Sequence, residues 1–252
     1  MQALDRPITV VTGGSRGIGA ATVLTLAQEG HDVALSYHTD AEAAERTVVA
    51  ATRFGAHCVA IRADVSQEGE VEELFASAAG QLGVITGLVN NAGVTAHLGD
   101  LADTPVEVIR RVIDVNLLGV VLCARQAVRM MSLLRGGRGG GIVNVSSAGA
   151  TLGSPHEYVH YAAAKVAVDT LTVGLAKELA DEGIRVNAVA PGLVNTGIHA
   201  GAGDPDRPGR FVSRIPLGRA AEPEEIAPAI AWLLGPYAGY VTGAIIRVAG
   251  GL

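Results

Sequence analysis

Short apolar runs alternate along the chain with longer stretches in which apolar residues recur every three or four positions. The short runs predict buried strands, and the longer stretches predict helices packed against them. A strand is expected at Ile8–Val11, followed by a helix over Gly17–Glu29 that Gly30 can cap. Asp32–Ser36 reads as the second strand, Ala41–Phe54 as a helix and Cys58–Ile61 as the third strand. Gln67–Gln81 is expected to be helical, and Gly87–Val89 the core of a short strand. Arg110–Leu134 predicts one long helix with room for a bend near its start. Gly141–Val145 is a further strand, Tyr158–Asp181 a helix and Arg185–Val189 a strand. A helix around Glu224–Leu234 and a strand at Ala244–Val248 complete the pattern. This order predicts an α/β fold, a doubly wound parallel sheet flanked by helices on both faces. The 252 residues fit a single domain over positions 1–252.

Some segments depart from the pattern. Gly136–Gly141 predicts a turn between a helix and a strand. Ala200–Arg210 is irregular and follows a strand end, the place for a mobile lid or an ordinary surface loop. Pro223 suits a first helical turn, whereas Pro228 falls inside the apolar pattern and implies a later start or a kink. Val166, Val168, Leu171, Val173, Leu175 and Leu179 spread around the helix after Tyr161. Such a helix needs cover on two sides, one from the sheet and the other from a neighbouring subunit or, in a monomer, from loops.

Composition narrows the function. Hydrophobic residues make up 49% and charged residues 17%, enough for a substantial core. A net charge of −6 with no basic block argues against a nucleic-acid partner. No apolar run approaches a membrane span, and Met1–Pro7 does not resemble a secretory signal. Cys58 and Cys123 have no metal or redox spacing and are expected as buried thiols in a reducing cytoplasm. Asn144-Val145-Ser146 matches a glycosylation pattern by chance, inside a strand. His156 and His160 have a helical metal spacing but no third ligand, so no metal is expected. No Gly-x-Ser-x-Gly elbow supports a hydrolase.

Two groups of residues carry chemistry. Gly13, Gly17 and Gly19 follow a strand and open a helix, where backbone can approach a pyrophosphate and free N–H groups can bind it. A tight turn without a ligand would use the same glycines. Tyr161 and Lys165 stand four apart, on one face of a helix. A tyrosine has a pKa of about 10, so proton transfer near neutrality gains from lowering it by roughly three units, about 4 kcal/mol. An ammonium ~5 Å away supplies roughly 3 kcal/mol at an effective dielectric of 20 and far less in bulk water. The pair therefore works only in a partly dehydrated cleft.

Thr12–Gly19, Asn90-Asn91-Ala92-Gly93, Asn116, Ser147, Tyr161-x-x-x-Lys165 and Pro191-Gly192 together resemble the ordered signature of the short-chain dehydrogenase/reductase family. The resemblance runs from Ile8 to near Leu252 and is strongest to 3-oxoacyl-carrier-protein reductases and glucose 1-dehydrogenases. It implies a Rossmann-type fold, a homotetramer, a nicotinamide cofactor and a small carbonyl or alcohol substrate. It also implies that Tyr161 is the acid or base, and that Lys165 lowers its pKa and holds the nicotinamide ribose. Ser147, in competition with Ser146, would bond the substrate oxygen, and Asn116 would anchor a water leading to Lys165. Ser15, Arg16 and Ile18 belong to the phosphate loop. Asp64 and Val65 would meet the adenine edge, and Asn91, Ala92 and Gly93 the adenosine ribose and phosphates. Pro191, Gly192, Val194 and Thr196 would cover nicotinamide and pyrophosphate.

NADP is favoured over NAD. An acidic residue at the end of the second strand would repel a 2′-phosphate, but Tyr37 and His38 stand there, and Arg16 could pair with the phosphate. Asp40 lies close enough to keep NAD open. Two further functions fit the same residues: a redox sensor that binds NADP without turnover, and an isomerase or dehydratase with retained nicotinamide.

Overall fold

The computed structural model describes residues 6–252, so most of the Met1–Pro7 segment lies outside the described residues. Seven strands form one parallel sheet: β1 (Ile8–Val11), β2 (Asp32–Tyr37), β3 (Cys58–Arg62), β4 (Ile85–Asn90), β5 (Gly140–Val145), β6 (Ile184–Pro191) and β7 (Ile245–Val248). Their spatial order is β3-β2-β1-β4-β5-β6-β7. Register follows from the alternation of side chains. Val10, Ala34, Leu88, Ile142 and Val186 face one apolar layer, and Val11, Val33, Leu35, Val89, Val143 and Val189 face the other.

Helices cover both faces, as the sequence predicts. The first layer is completed by α3 (Glu68–Leu82), α5 (Gly119–Met131) and α7 (Val159–Glu178), through Leu74, Phe75, Met131 and Leu179. The second is completed by α1 (Gly17–Gln28), α2 (Ala41–Thr52) and α10 (Pro223–Leu234), through Val23, Leu26, Ala44, Ile226 and Ile230. Asp40 caps α2 by accepting from the Ala43 amide at 2.9 Å. Among the described residues no helix is long and apolar enough to cross a membrane.

Three details differ from the sequence expectations. The long helix begins earlier, as α4 (Val106–Ile113), passes through a π turn at Asp114–Leu118 and continues as α5 to Met131. Pro105 stands at the N-cap of this earlier start, and the π turn interrupts the helix at Asp114–Leu118. Helix α10 starts at Pro223 and runs on through Pro228, with a capping box between Glu222 and Glu225. Its buried face of Ile226, Ala227, Ile230, Ala231 and Leu233 outweighs the one lost backbone bond. The irregular 200–210 stretch contains parts of two short helices, α8 (Ile198–Gly201) and α9 (Arg207–Phe211), with α6 (Gly149–Leu152) opposite. Gly136, Gly139 and Gly140 do form the expected turn, all with positive φ.

Candidate active site

The order of strands reverses between β1 and β4, so the loops leaving their carboxyl ends diverge and open a crevice. Every strand from β1 to β6 sends its following residues into this crevice, whose volume is about 1140 Å³. Gly13, Ser15, Arg16, Gly17, Ile18, Tyr37, His38, Asp64, Val65, Asn91, Ala92, Gly93, Ser147, Tyr161, Lys165, Pro191, Gly192, Val194 and Thr196 all line it. The sequence-predicted residues are thus brought together, except for Gly19 and Asn116, which act from just behind the wall.

At one end, the glycine loop is fixed by its neighbours. Thr12 Oγ1 accepts from the Asn91 and Ala92 amides, each at 3.0 Å. Asn91 Nδ2 donates to the carbonyls of Thr12 at 2.9 Å and Gly13 at 3.0 Å. The Gly13 and Gly14 amides donate to Ser36 Oγ at 3.2 Å and Ser36 O at 2.9 Å. Gly13 has φ +64°, and a Cβ on Gly19 would lie 2.2 Å from the Gly13 carbonyl oxygen. The loop closes this tightly only with glycine at both positions. Helix α1 then opens with no side-chain cap and no acidic residue in its first turn. Its first-turn amides precede the Ala20-to-Arg16 bond and are available to an anion. Thr196 reaches across to this point, since a Cβ on Gly17 would sit 3.2 Å from Thr196 Cγ2.

Beside the loop, Tyr37 ends β2 half-buried, and His38 Nε2 lies 3.6 Å from Asp64 Oδ2. The Asp64 carboxylate accepts from Ser66 N at 3.0 Å, Ser66 Oγ at 2.7 Å and Arg111 at 2.9 Å. Burial raises its pKa, but these hydrogen bonds outweigh burial and hold it below the ordinary value. Both acids near this end are therefore occupied, Asp40 as a helix cap and Asp64 by Arg111. Arg111, unnoticed in the sequence, comes from α4 and carries no local motif. A free glycine-loop cradle and an uncapped helix start fit a dinucleotide phosphate.

At the other end, Tyr161 is held in the first turns of α7, edge-on to Tyr158 with ring centroids 5.2 Å apart. Burial raises the phenol's pKa, while a Ser147 hydrogen bond and the charge of Arg207 oppose the rise. Ser147, rather than Ser146, faces the phenol. Its Oγ also accepts from the Gly149 amide at 3.0 Å, whereas Ser146 Oγ turns to the Lys165 carbonyl at 3.5 Å.

Lys165 is fully enclosed, and its Nζ donates to the Val145 carbonyl at 2.7 Å and lies 5.6 Å from the Tyr161 ring centroid. Burial lowers its pKa from 10.5 to about 8, with Asp169 opposing. Arg207 is a second cation near this phenol, beside the Lys165 ammonium that donates to the Val145 carbonyl.

Asn116 sits in the π turn with its side chain committed. Nδ2 donates to Val94 O and Val112 O, each at 2.8 Å, and Oδ1 accepts from Val94 N at 3.2 Å. A Cβ on Gly93 would stand 2.8 Å from Asn116 Oδ1 and 3.8 Å from Lys165 Nζ, so glycine lets these three meet.

Glu157, Arg207 and Phe211 form the outer wall. Arg207 donates to Glu157 at 3.1 and 2.7 Å and lies over both the Tyr158 and Phe211 rings. The sequence left Ala200–Arg210 as a lid or a surface loop and held no signal for Arg207. Its partners are fifty residues away. His156 precedes α7, has φ +61° and pairs with Asp100 at 2.7 Å, so it shares no helix face with His160. Asn144 is wholly buried, bonded to Asn90 and Thr172. Cys58 and Cys123 are buried thiols, each pushed up to about 12 by burial.

Comparison with known proteins agrees with this geometry. A family model described as Enoyl-(Acyl carrier protein) reductase matches residues 13–252. An uncharacterized oxidoreductase of Escherichia coli, YgfF, is 48% identical over 97% of this chain and 99% of its own. The 3beta-hydroxysteroid dehydrogenase 1 of Eggerthella lenta is 42% identical over 96% of this chain and 92% of its own. A short chain dehydrogenase from Burkholderia cenocepacia, solved in complex with NADP, superposes with a TM-score of 0.89 at 32% identity, covering 97% of both chains.

Proposed function

The chain belongs to the short-chain dehydrogenase/reductase family, and from that premise we propose an NADP(H)-dependent oxidoreductase that interconverts a carbonyl and a secondary alcohol, with Tyr161 as general acid and base. The observation that carries the reading is one cleft with a phosphate-ready glycine loop at one end and the Tyr161–Ser147–Lys165 cluster at the other. When bound there, nicotinamide supplies or accepts the hydride. Ser147 bonds the substrate oxygen, and Tyr161 gives that oxygen a proton in reduction or takes one in oxidation. Lys165 holds the nicotinamide ribose and lowers the phenol's pKa. Asn116 anchors a water toward Lys165.

NADP is the favoured cofactor. Tyr37 and His38 put no carboxylate at the ribose, Asp40 and Asp64 are otherwise engaged, and Arg16 lines the same end of the cleft. The Burkholderia relative bound to NADP supports the choice. The buried thiols suit a reducing cytoplasm, and exposed apolar surface at the β7 edge suits a homotetramer.

A panel of aldehydes, ketones, sugars and acyl thioesters assayed by NADPH absorbance tests the reading. Consumption that depends on the added carbonyl is expected. Tight NADPH binding without consumption across the panel would identify a sensor instead, and turnover without net cofactor oxidation would identify an isomerase or dehydratase.

A further inference from the structure

Away from the glycine loop, the cleft is rimmed by residues around Tyr158 and by the segment from α8 to Arg214. Four side chains stack in order across this rim. The Arg207 guanidinium carbon lies 5.1 Å from the Tyr158 ring centroid and 4.9 Å from that of Phe211. Arg214 lies 4.6 Å from the Phe211 ring centroid. Since Tyr158 meets Tyr161 edge-on, the stack runs from the proposed proton donor to the outer edge of the cleft.

The charges along this rim do not cancel. Arg207 and Glu157 neutralise each other, with side-chain exposures of only 11% and 19%. Arg210 is paired with Asp204, and His156 with Asp100. Arg214 is exposed, lines the cleft and, among the described residues, meets the Phe211 ring but no carboxylate. Glu157 is the one acid lining this end, and Arg207 already holds it. One guanidinium is thus left over. The ring contact leaves its N–H donors without a carboxylate, and a guanidinium fork suits a two-oxygen anion. The phosphates of a dinucleotide belong at α1, the far end of the cleft, so they do not account for it.

We propose that this rim is an anion subsite: the substrate carries a carboxylate or phosphate remote from its reacting carbonyl, and Arg214 receives that group. The proposal rests on the oxidoreductase reading and adds a substrate class to it. Because Arg214 is exposed, the preference for an anion is modest, about 2- to 5-fold.

The test titrates NADP-saturated enzyme by calorimetry with two matched pairs: levulinate against methyl levulinate, and dihydroxyacetone phosphate against dihydroxyacetone. At least one anion is expected to bind about 2- to 5-fold more tightly than its neutral partner, and which pair responds separates carboxylate from phosphate. Arg214→Met, which keeps an unbranched side chain against Phe211, is expected to erase the difference, and Arg214→Lys to restore part of it. Equal affinity within both pairs, no anion binding to the unmodified enzyme, or a preference that survives in Arg214→Met would each overturn the proposal. NADPH consumption by the unmodified enzyme with all four ketones separates the two levels. Arg214-dependent anion binding without any turnover counts against the oxidoreductase reading and leaves the subsite standing.

Discussion

Lys165 holds an ammonium where water cannot reach it, and its pKa falls from 10.5 to about 8 in consequence. Between those values the unfolded chain keeps a proton that the folded chain has released, so this residue makes stability rise with pH across that window. The full span corresponds to about 3 kcal/mol, an order-of-magnitude figure. The buried thiols Cys58 and Cys123, both pushed up from 9.0 to about 12, act in the opposite sense above pH 9. The comparison must therefore be made against a Lys165→Met variant. Urea melts from pH 7.5 to 10 should show unmodified protein gaining stability relative to that variant, and parallel curves would mean the ammonium is not buried. Tyr37 governs a second choice at this scale. Tyr37→Asp puts a carboxylate at the end of β2, where it would bond ribose hydroxyls and repel a 2′-phosphate. The NADP-to-NAD ratio of kcat/KM should fall at least about tenfold, equivalent to ~1.4 kcal/mol. An unchanged ratio would place the phosphate pocket elsewhere.

At the scale of elements, the turn from β1 into α1 is the least tolerant part of the site. A methyl group on Gly19 would meet the Gly13 carbonyl oxygen at 2.2 Å and Asn91 Nδ2 at 2.5 Å, groups already fixed by hydrogen bonds. Gly19→Ala should weaken NADPH binding by about tenfold or more and cost roughly 1–3 kcal/mol of stability. Fluorescence titration with a parallel melt checks both. This turn was legible in the sequence because glycine spacing between a strand and a helix has a direct steric meaning. The strands were legible for a similar reason: apolar runs such as Val33-Ala34-Leu35 are buried on both faces of a parallel sheet. The π turn at Asp114–Leu118 was not, since it is set by Asn116 bonding Val94 and Val112 rather than by local propensity. Helix α9 was hidden too. Its Arg-Pro-Gly-Arg-Phe sequence is a poor helix former, and it is held by Arg207 on Glu157 and Tyr158, contacts made across fifty residues.

The whole molecule gathers one cleft from six strand ends, and that explains why candidate residues spread from Gly13 to Thr196 line it together. The residues after β1 to β6 follow apolar runs, whereas Tyr161 and Lys165 stand on α7 and were named from the family signature. What the sequence left out was the direction of side chains, above all Lys165 donating to Val145 and Arg207 lying between Glu157, Tyr158 and Phe211. The same view predicts assembly. Strand β7 ends the sheet with Ile245 39% exposed, while Tyr237 and Tyr240 nearby are 91% and 104% exposed. An open edge beside such surface invites pairing. Sedimentation should give a tetramer, and a monomer at micromolar concentration would remove subunit cover from the account. The central claim is that Tyr161 moves the proton while nicotinamide moves the hydride. Tyr161→Phe tests it most directly, with NADPH binding and NADPH consumption measured on the same preparation. The account predicts binding within about twofold of the unmodified enzyme and turnover reduced by ~10³-fold or more. Turnover near the unmodified rate, with binding intact, would contradict it.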